Sequence, residues 1–160
     1  MAFCCSDASN PGRCTSTSSL CAYHGFTSYL DRSLGEYVTL SYAVVPYGLG
    51  LNNQCKPPVS VCPNGAGCNV DTALQWLAHE TFETASDPLL NAWMDVEGEE
   101  IADKCQAVYS GITNDSYNHT LGTHHYILQD MWNNAYTVGG TGGNCTPYGT
   151  VYPWRGNSRS

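Results

Sequence analysis

Lysine and arginine are scarce in this chain of 160 residues. Only six stand against 14 aspartates and glutamates, and the net charge is −8 with histidine neutral. A nucleic-acid partner requires clustered cations that displace counterions from the phosphates, and the sequence has no such cluster. The composition therefore argues against nucleic-acid binding, and an acidic surface instead suits cations or basic partners.

Long apolar runs are also missing. A membrane-spanning helix needs about 18 or more consecutive apolar residues, and no stretch of the sequence reaches that length. We therefore expect no membrane span. The first residues, Met1 to Cys4, lack the apolar core of a signal peptide, so we expect the chain to be a processed or excised part of a longer precursor.

Cysteine, by contrast, is abundant. Nine cysteines occur without the paired C-x-x-C knuckles of a structural zinc cluster, which favours disulfides formed in an oxidising compartment. Because nine is odd, at least one thiol is free, modified or bonded to another chain. Three N-glycosylation sequons, at Asn114, Asn118 and Asn144, further indicate a secreted glycoprotein.

The strand signals lie early in the chain. Residues 36–45 are rich in β-branched and aromatic side chains, which predicts a strand that ends at Pro46. Residues 23–30 are its expected partner strand, with 31–35 as the turn between them. A further strand is predicted around 125–129.

One helix dominates the prediction and spans about 72–86. Asp71 stands where an N-cap is expected, and Pro88 ends the run because the residue before a proline disfavours the α region. Asp87 is read chiefly as a residue that caps and terminates this helix. Apolar residues recur at helical spacing and predict the buried stripe, namely Leu74, Leu77, Ala78, Phe82 and Ala85.

These signals predict the α+β class: a small antiparallel sheet packed on the one main helix, with long loops stapled by disulfides. We expect residues 1–146 to form a single domain, of which 1–20 are a Cys-, Ser- and Thr-rich segment. Residues 147–160 are an aromatic and polar tail, and residues 99–105 are predicted to form a short second helix or a turn.

The chemistry centres on the helix segment from His79 to Glu83. Residues four apart share a helix face, so the His79 imidazole and the Glu83 carboxylate are placed to bind one cation. Glu80 is the candidate general base toward a water on that cation. The segment has the layout of a zinc-hydrolase helix, with a carboxylate in place of the second histidine. The alternative is a structural hydrogen-bonded pair or a solvated face.

A third ligand must come from elsewhere in the chain. Glu100 is the first candidate and Asp103 the second, because their spacing places both on one side of a helical turn. His24 is a more distant candidate that only the fold can bring close. Calcium is the alternative to zinc, with an oxygen-rich set made of Glu83, Asp87, Glu99 and Glu100.

Four segments occur in the order typical of one family. They are CAYHG at 21–25, WLAHE at 76–80, DPLLNAW at 87–93 and GEEIADKC at 98–105. Over about residues 20–146 the chain resembles the phosphate-induced, exordium-like family of secreted proteins. The resemblance implies a wall- or matrix-associated protein, and it implies the disulfide pairs Cys105–Cys145 and Cys55–Cys62.

The sequence therefore leads to three predictions of function. The first is an extracellular exordium-like glycoprotein with an HExxE metal site, a divergent zinc metallopeptidase that acts on wall or matrix peptides. The second is a non-catalytic subunit that self-associates into an extracellular glycosylated fibre or matrix. The third is a carbohydrate-binding module for wall or matrix glycans, suggested by the aromatic content.

Overall fold

A computed structural model describes residues 20–47, 53–112, 116–134 and 143–147. It is of the α+β class, with three two-stranded antiparallel sheets where the sequence predicts one. No helix among the described residues is both long and apolar enough to cross a membrane. The elements in chain order are β1 (Tyr23–Asp31), β2 (Glu36–Val44), α1 (Asn69–Ser86), β3 (His119–Leu121), β4 (His124–Tyr126), β5 (Met131–Asn133) and β6 (Asn144–Thr146).

The β1–β2 hairpin forms as predicted. Its register pairs Tyr23 with Val44 and Asp31 with Glu36. The Asp31 carboxylate accepts a hydrogen bond from the Ser33 backbone N–H at 2.8 Å, and Gly35 supplies the left-handed conformation (φ 72°) that closes the turn. The hairpin therefore presents His24, near the start of β1, at a fixed position.

Helix α1 begins three residues before the predicted start and ends at Ser86 as predicted. Its N-cap is Cys68, so the prediction of Asp71 as N-cap is wrong. Asp71 lies inside the first turn and is fully buried, where its carboxylate accepts a hydrogen bond from Asn64 Nδ2 at 2.7 Å. Asp87 is the C-cap and donates its N–H to the Glu83 carbonyl.

The buried face of α1 is not the predicted apolar stripe. Leu77 is 50% exposed and Ala85 is exposed, so that prediction is wrong. Polar side chains are buried instead because neighbouring segments supply their hydrogen-bond partners. The buried residues of the helix are Asp71, Thr72, Gln75, Trp76, His79, Glu80 and Glu83.

A small apolar core contains residues that flank the hairpin and Trp76 of α1. Cys21, Ala22, Cys55 and Trp76 are buried together, and the half-buried Val45 packs against them. The Cys55 carbonyl accepts hydrogen bonds from Gln75 Nε2 and from the Trp76 indole N–H, both at 2.8 Å. Because Cys55 is also bonded to Cys21, one residue ties the start of β1 to α1.

Three disulfides are present in the described part of the chain: Cys21–Cys55, Cys62–Cys68 and Cys105–Cys145. The third is the pair that the resemblance implies. The implied pair Cys55–Cys62 is wrong, because the hairpin brings Cys21 to within 5.3 Å of Cys55 (Cα to Cα). The remaining cysteines belong to the predicted segment 1–20, which lies outside the described residues except for Leu20. The tail beyond Pro147 also lies outside them.

The segment 99–105 is a turn that ends in one 3-10 turn, Asp103–Cys105. The Gln129 side chain donates to the Ala102 carbonyl at 2.8 Å, and the Trp132 N–H donates to the Ile101 carbonyl at 3.0 Å. The strand predicted around 125–129 ends at Tyr126. Gln129, buried beyond the end of this strand, supports the 99–105 segment through its hydrogen bond to Ala102.

Candidate metal centre

His79, Glu80 and Glu83 lie side by side on the buried face of α1. Their side chains are at most 4% exposed, and His79 Nε2 is 3.0 Å from Glu83 Oε1, one helical turn away. The structure thus brings the predicted imidazole and carboxylate together. Glu80 faces the same pocket as the pair, instead of turning toward solvent.

Asp103 completes a group of three around His79. Its Oδ1 lies 3.4 Å from His79 Nε2, and its backbone N–H donates to Glu83 Oε1 at 3.2 Å. One donor atom from each of His79, Glu83 and Asp103 falls within 4.8 Å of the others. Asp103, the second candidate for the third ligand, therefore lies next to His79 and Glu83.

Glu100, the first candidate, lies on another side of the pocket. Its Oε1 is 3.5 Å from His24 Nε2, and it is not part of the group around His79. The segment is a turn rather than a helix, so Glu100 and Asp103 do not project in parallel.

The residues of the calcium alternative do not form a metal-binding group within the described part of the chain. Glu99 is exposed. Asp87 uses its Oδ1 to accept the backbone N–H groups of Asn91 and Ala92, at 2.6 and 2.7 Å.

His24 of β1 forms a second group with the helix. Its Nδ1 lies 3.3 Å from Glu80 Oε2 and 3.5 Å from Glu83 Oε2, and the three residues offer donor atoms within 4.8 Å of one another. His24 is separated from Glu80 by 56 residues in sequence, so spacing rules cannot pair them. In the sequence, His24 is marked only by its place near the start of a predicted strand, within the segment CAYHG.

Tight packing fixes the position of His24. A Cβ on the next residue, Gly25, would lie 3.0 Å from the Tyr42 hydroxyl oxygen, so the absence of a side chain lets the Tyr42 ring lie against β1. The disulfide Cys21–Cys55 holds the chain just before His24. The histidine is thus presented to α1 from a braced strand.

The segment that carries Glu100 and Asp103 is braced from the other side. Cys105, two residues after Asp103, is bonded to Cys145. Lys104 forms an ion pair with Asp95, and its ammonium nitrogen lies 4.8 Å from the centre of the Trp132 ring. The only cation of this segment therefore points away from the metal-binding candidates.

A pocket of about 320 Å³ opens over the cluster. Two histidines and four carboxylic acids line it, and no lysine or arginine is among its described lining residues. The Trp76 ring lies 4.8 Å from the His79 ring, tilted by 54°, and forms one wall. Three buried atoms of its lining residues have no hydrogen-bond partner within the described part of the chain: His24 Nε2, His79 Nδ1 and Glu100 Oε1.

The close contacts change the acidity of these groups. Hydrogen bonds to Glu80 and Glu83 raise the pKa of His24 to about 10. Burial lowers the pKa of His79, but hydrogen bonds to Asp103 and Glu83 outweigh it and raise that pKa to about 10. Burial works to raise the pKa of Glu83, yet hydrogen bonds to the two histidines bring it down to about 2.

Two further carboxylic acids respond mainly to burial. Desolvation raises the pKa of Glu80. Desolvation, with the negative charge of Glu83, raises the pKa of Glu100 to about 7. A cation at this position would stabilise the ionised form of both acids.

Of the three sequons, Asn114 lies outside the described residues and Asn144 is half-buried in β6. Asn118 closes a loop, because its Nδ2 donates to the carbonyls of Ser110 and Leu128 at 3.2 and 2.7 Å. A glycan on Nδ2 would replace one of its two hydrogens and break at least one of these bonds.

Comparison of the chain with protein-family models, with curated proteins and with solved structures finds no match. The case for a metal centre therefore depends on the donor set itself. Imidazole nitrogen and carboxylate oxygen are ligands that zinc accepts, and three of them are within reach of one ion.

Proposed function

We propose that this protein is a secreted, exordium-like glycoprotein of a wall or matrix, and that His79, Glu83 and Asp103 bind a zinc ion used to hydrolyse peptide bonds. The observation that carries the proposal is the convergence of two imidazoles and four carboxylic acids in one pocket, whose described lining residues include no lysine or arginine. Three disulfides are compatible with secretion. The predicted packing of the β1–β2 sheet on α1 is part of the proposal, and the contacts of His24 with Glu80 and Glu83 support it.

The arrangement suits a metal better than a purely structural histidine–glutamate pair. A structural pair needs one imidazole and one carboxylate, whereas here four carboxylic acids face two imidazoles. Even with both imidazoles protonated the acids are in excess, and a metal ion would compensate that negative charge. The site also opens into a pocket, which leaves room for a substrate carbonyl beside the three ligands. Catalytic zinc sites have this form, with three protein ligands and one open position.

The chain's own residues account for the proton transfers. A bound zinc ion would polarise the carbonyl oxygen of the peptide bond and stabilise its developing negative charge. Glu80 accepts a proton from the attacking water as the water oxygen bonds to the carbonyl carbon. It then delivers the proton to the amine nitrogen as the C–N bond breaks, which yields a carboxylic acid and an amine. Burial suits Glu80 to this role because it raises the pKa of that carboxyl group.

The test is Glu80→Gln, assayed on a library of quenched-fluorescent peptides with the zinc content measured in parallel. We expect hydrolysis to fall at least about 100-fold, the usual contribution of a general base, while one zinc ion stays bound. Glu36→Gln is the matched control, since Glu36 is exposed in β2, and it should keep full activity. Full activity in Glu80→Gln would exclude the base role, and a zinc-free wild type would exclude the enzyme.

A structural role in an extracellular assembly is the second candidate. It is favoured by the exposed apolar side chains of the hairpin, of which Tyr37, 76% exposed, is the extreme case. Light scattering across a concentration series tests it: a purely monomeric protein would contradict self-association. Glycan binding stays a prediction from the sequence.

A further inference from the structure

We infer that the pocket binds two divalent cations, with Glu83 as the bridging carboxylate, and that the second ion regulates the first. The inference rests on the proposed function, because it adds a second ion beside the zinc on His79, Glu83 and Asp103. The new site consists of His24, Glu80 and Glu83.

The two oxygens of Glu83 face different histidines. Oε1 lies 3.0 Å from His79 Nε2, and Oε2 lies 3.5 Å from His24 Nδ1. A carboxylate that serves a single ion has no need of an imidazole on each side. A carboxylate that bridges two ions fits this arrangement, because each of its oxygens binds one ion together with one imidazole nitrogen.

Glu80 supplies the third donor of the second group. Its Oε2 lies 3.3 Å from His24 Nδ1, and its side chain is 3% exposed. One nitrogen and two oxygens thus surround a point on the β1 side of the pocket, as one nitrogen and two oxygens do on the other side.

The opposite edge of the His24 ring supports a metal on Nδ1. Its Nε2 is buried without a hydrogen-bond partner in the described part of the chain, and it lies 3.5 Å from Glu100 Oε1, which is also buried and unpartnered. Histidine ligands usually donate their other ring N–H to a carboxylate, which orients the ring. Glu100 is placed to be that acceptor, although it is not part of the group around His79.

Charge balance also favours a second ion. Four carboxylates line the pocket, and both imidazoles must be neutral to bind metal. One divalent cation on His79, Glu83 and Asp103 would then leave the ionised forms of Glu80 and Glu100 without a counter-charge, and these two side chains are 3% and 14% exposed. Two divalent cations balance all four carboxylates. Buried charge without compensation is strongly unfavourable, so the doubly loaded pocket is the more stable form.

The second ion has a consequence for catalysis. Once Glu80 is a metal ligand, its lone pair is no longer free to accept the proton of the attacking water. Hydrolysis should therefore rise to a maximum near one equivalent of zinc and fall as a second equivalent binds. The same pocket would act as an enzyme at low zinc and as a zinc store at high zinc.

Equilibrium dialysis against zinc tests the inference without reference to activity. We expect two ions per wild-type chain, one in His24→Asn and one in Asp103→Asn, with circular dichroism to check folding. His124→Asn is the matched control, because His124 is exposed in β4, and it should bind two. Two ions in both wild type and His24→Asn, or one in both, would overturn the second site. A single ion in wild type would leave the proposed function standing, and none would remove both.

Manganese loading covers the case in which His24→Asn fails to fold. Ions that share a carboxylate bridge lie about 3.5–4 Å apart in two-metal sites, close enough for their electron spins to couple. Wild-type protein with two equivalents of Mn²⁺ should then give the broadened resonance spectrum of a coupled pair. The six-line spectrum of isolated manganese alone would contradict the bridge.

Discussion

Glu83 connects every part of the candidate centre. Its carboxylate contacts both histidines and accepts the backbone N–H of Asp103 at 3.2 Å. These contacts hold it ionised, with a pKa of about 2, although it is almost fully buried. A residue so placed binds a cation with little rearrangement, which is the condition for tight metal binding.

The sequence alone identified only part of this set. His79 and Glu83 were predictable because a helix fixes the relation between residues four apart. The choice between Glu100 and Asp103 was not, because it depends on a turn whose shape comes from Gln129, Trp132 and a disulfide. His24 depends on the meeting of two elements distant in sequence.

Zinc binding should strengthen as the pH rises. The raised pKa values of His24 and His79, about 10, mean that both rings carry a proton at neutral pH in the ion-free site. Zinc must displace these protons, so its apparent affinity should increase about tenfold per pH unit for each histidine ligand, up to pH about 10. Competition with a chelator at three values between pH 6.5 and 8.5 measures the slope. An affinity independent of pH would show that neither imidazole is a ligand.

At the scale of the elements, α1 is the informative case. Its existence and its C-terminal end follow from sequence, since Pro88 and the helical spacing of apolar residues are local signals. Which face of α1 is buried cannot be predicted from its own sequence. The polar residues of that face are buried because other segments supply their hydrogen-bond partners. The Cys55 carbonyl, His24 and Asp103 supply them.

The orientation of α1 predicts unequal losses of stability for substitutions at two neighbouring residues. Trp76→Ala removes a buried ring and an indole hydrogen bond, and should cost about 3–5 kcal/mol of unfolding free energy. Leu77→Ala truncates a side chain that is 50% exposed and should cost less than about 1 kcal/mol. Chemical denaturation monitored by circular dichroism measures both. A larger loss from Leu77→Ala than from Trp76→Ala would mean that the helix faces the other way.

The disulfides also differ in what they hold. Cys21 and Cys55 are 34 residues apart in sequence and Cys62 and Cys68 only six, so in the chain-entropy treatment they contribute about 4 and about 2 kcal/mol. Replacing Cys21 and Cys55 by serine should therefore destabilise the fold more. It should also weaken metal binding, because it loosens the chain just before His24.

The double substitution Cys62→Ser with Cys68→Ser is the control for that experiment. It removes a disulfide from the loop before α1, away from the pocket lining, and should leave metal binding intact. Equal loss of metal from both double variants would contradict a specific role for the Cys21–Cys55 disulfide.

In the molecule as a whole, disulfides add stability that the small hydrophobic core does not supply alone. The apolar cluster at the hairpin–helix junction is small, and many of the fully buried side chains are polar, Asp71, Asp87 and Asp130 among them. The strand and helix signals predicted the α+β class, and the cysteine content predicted the reliance on disulfides. The number of sheets was not predictable, since β3 to β6 are only three residues long and carry weak patterns.

The central claim is that one imidazole and two carboxylates from α1 and the 99–105 turn share a zinc ion. Anomalous diffraction at the zinc absorption edge, from crystals of the whole chain grown with one equivalent of zinc, tests it most directly. We expect a peak about 2 Å from His79 Nε2 and from oxygens of Glu83 and Asp103. A pocket without a peak, or zinc bound only by residues elsewhere, would contradict it.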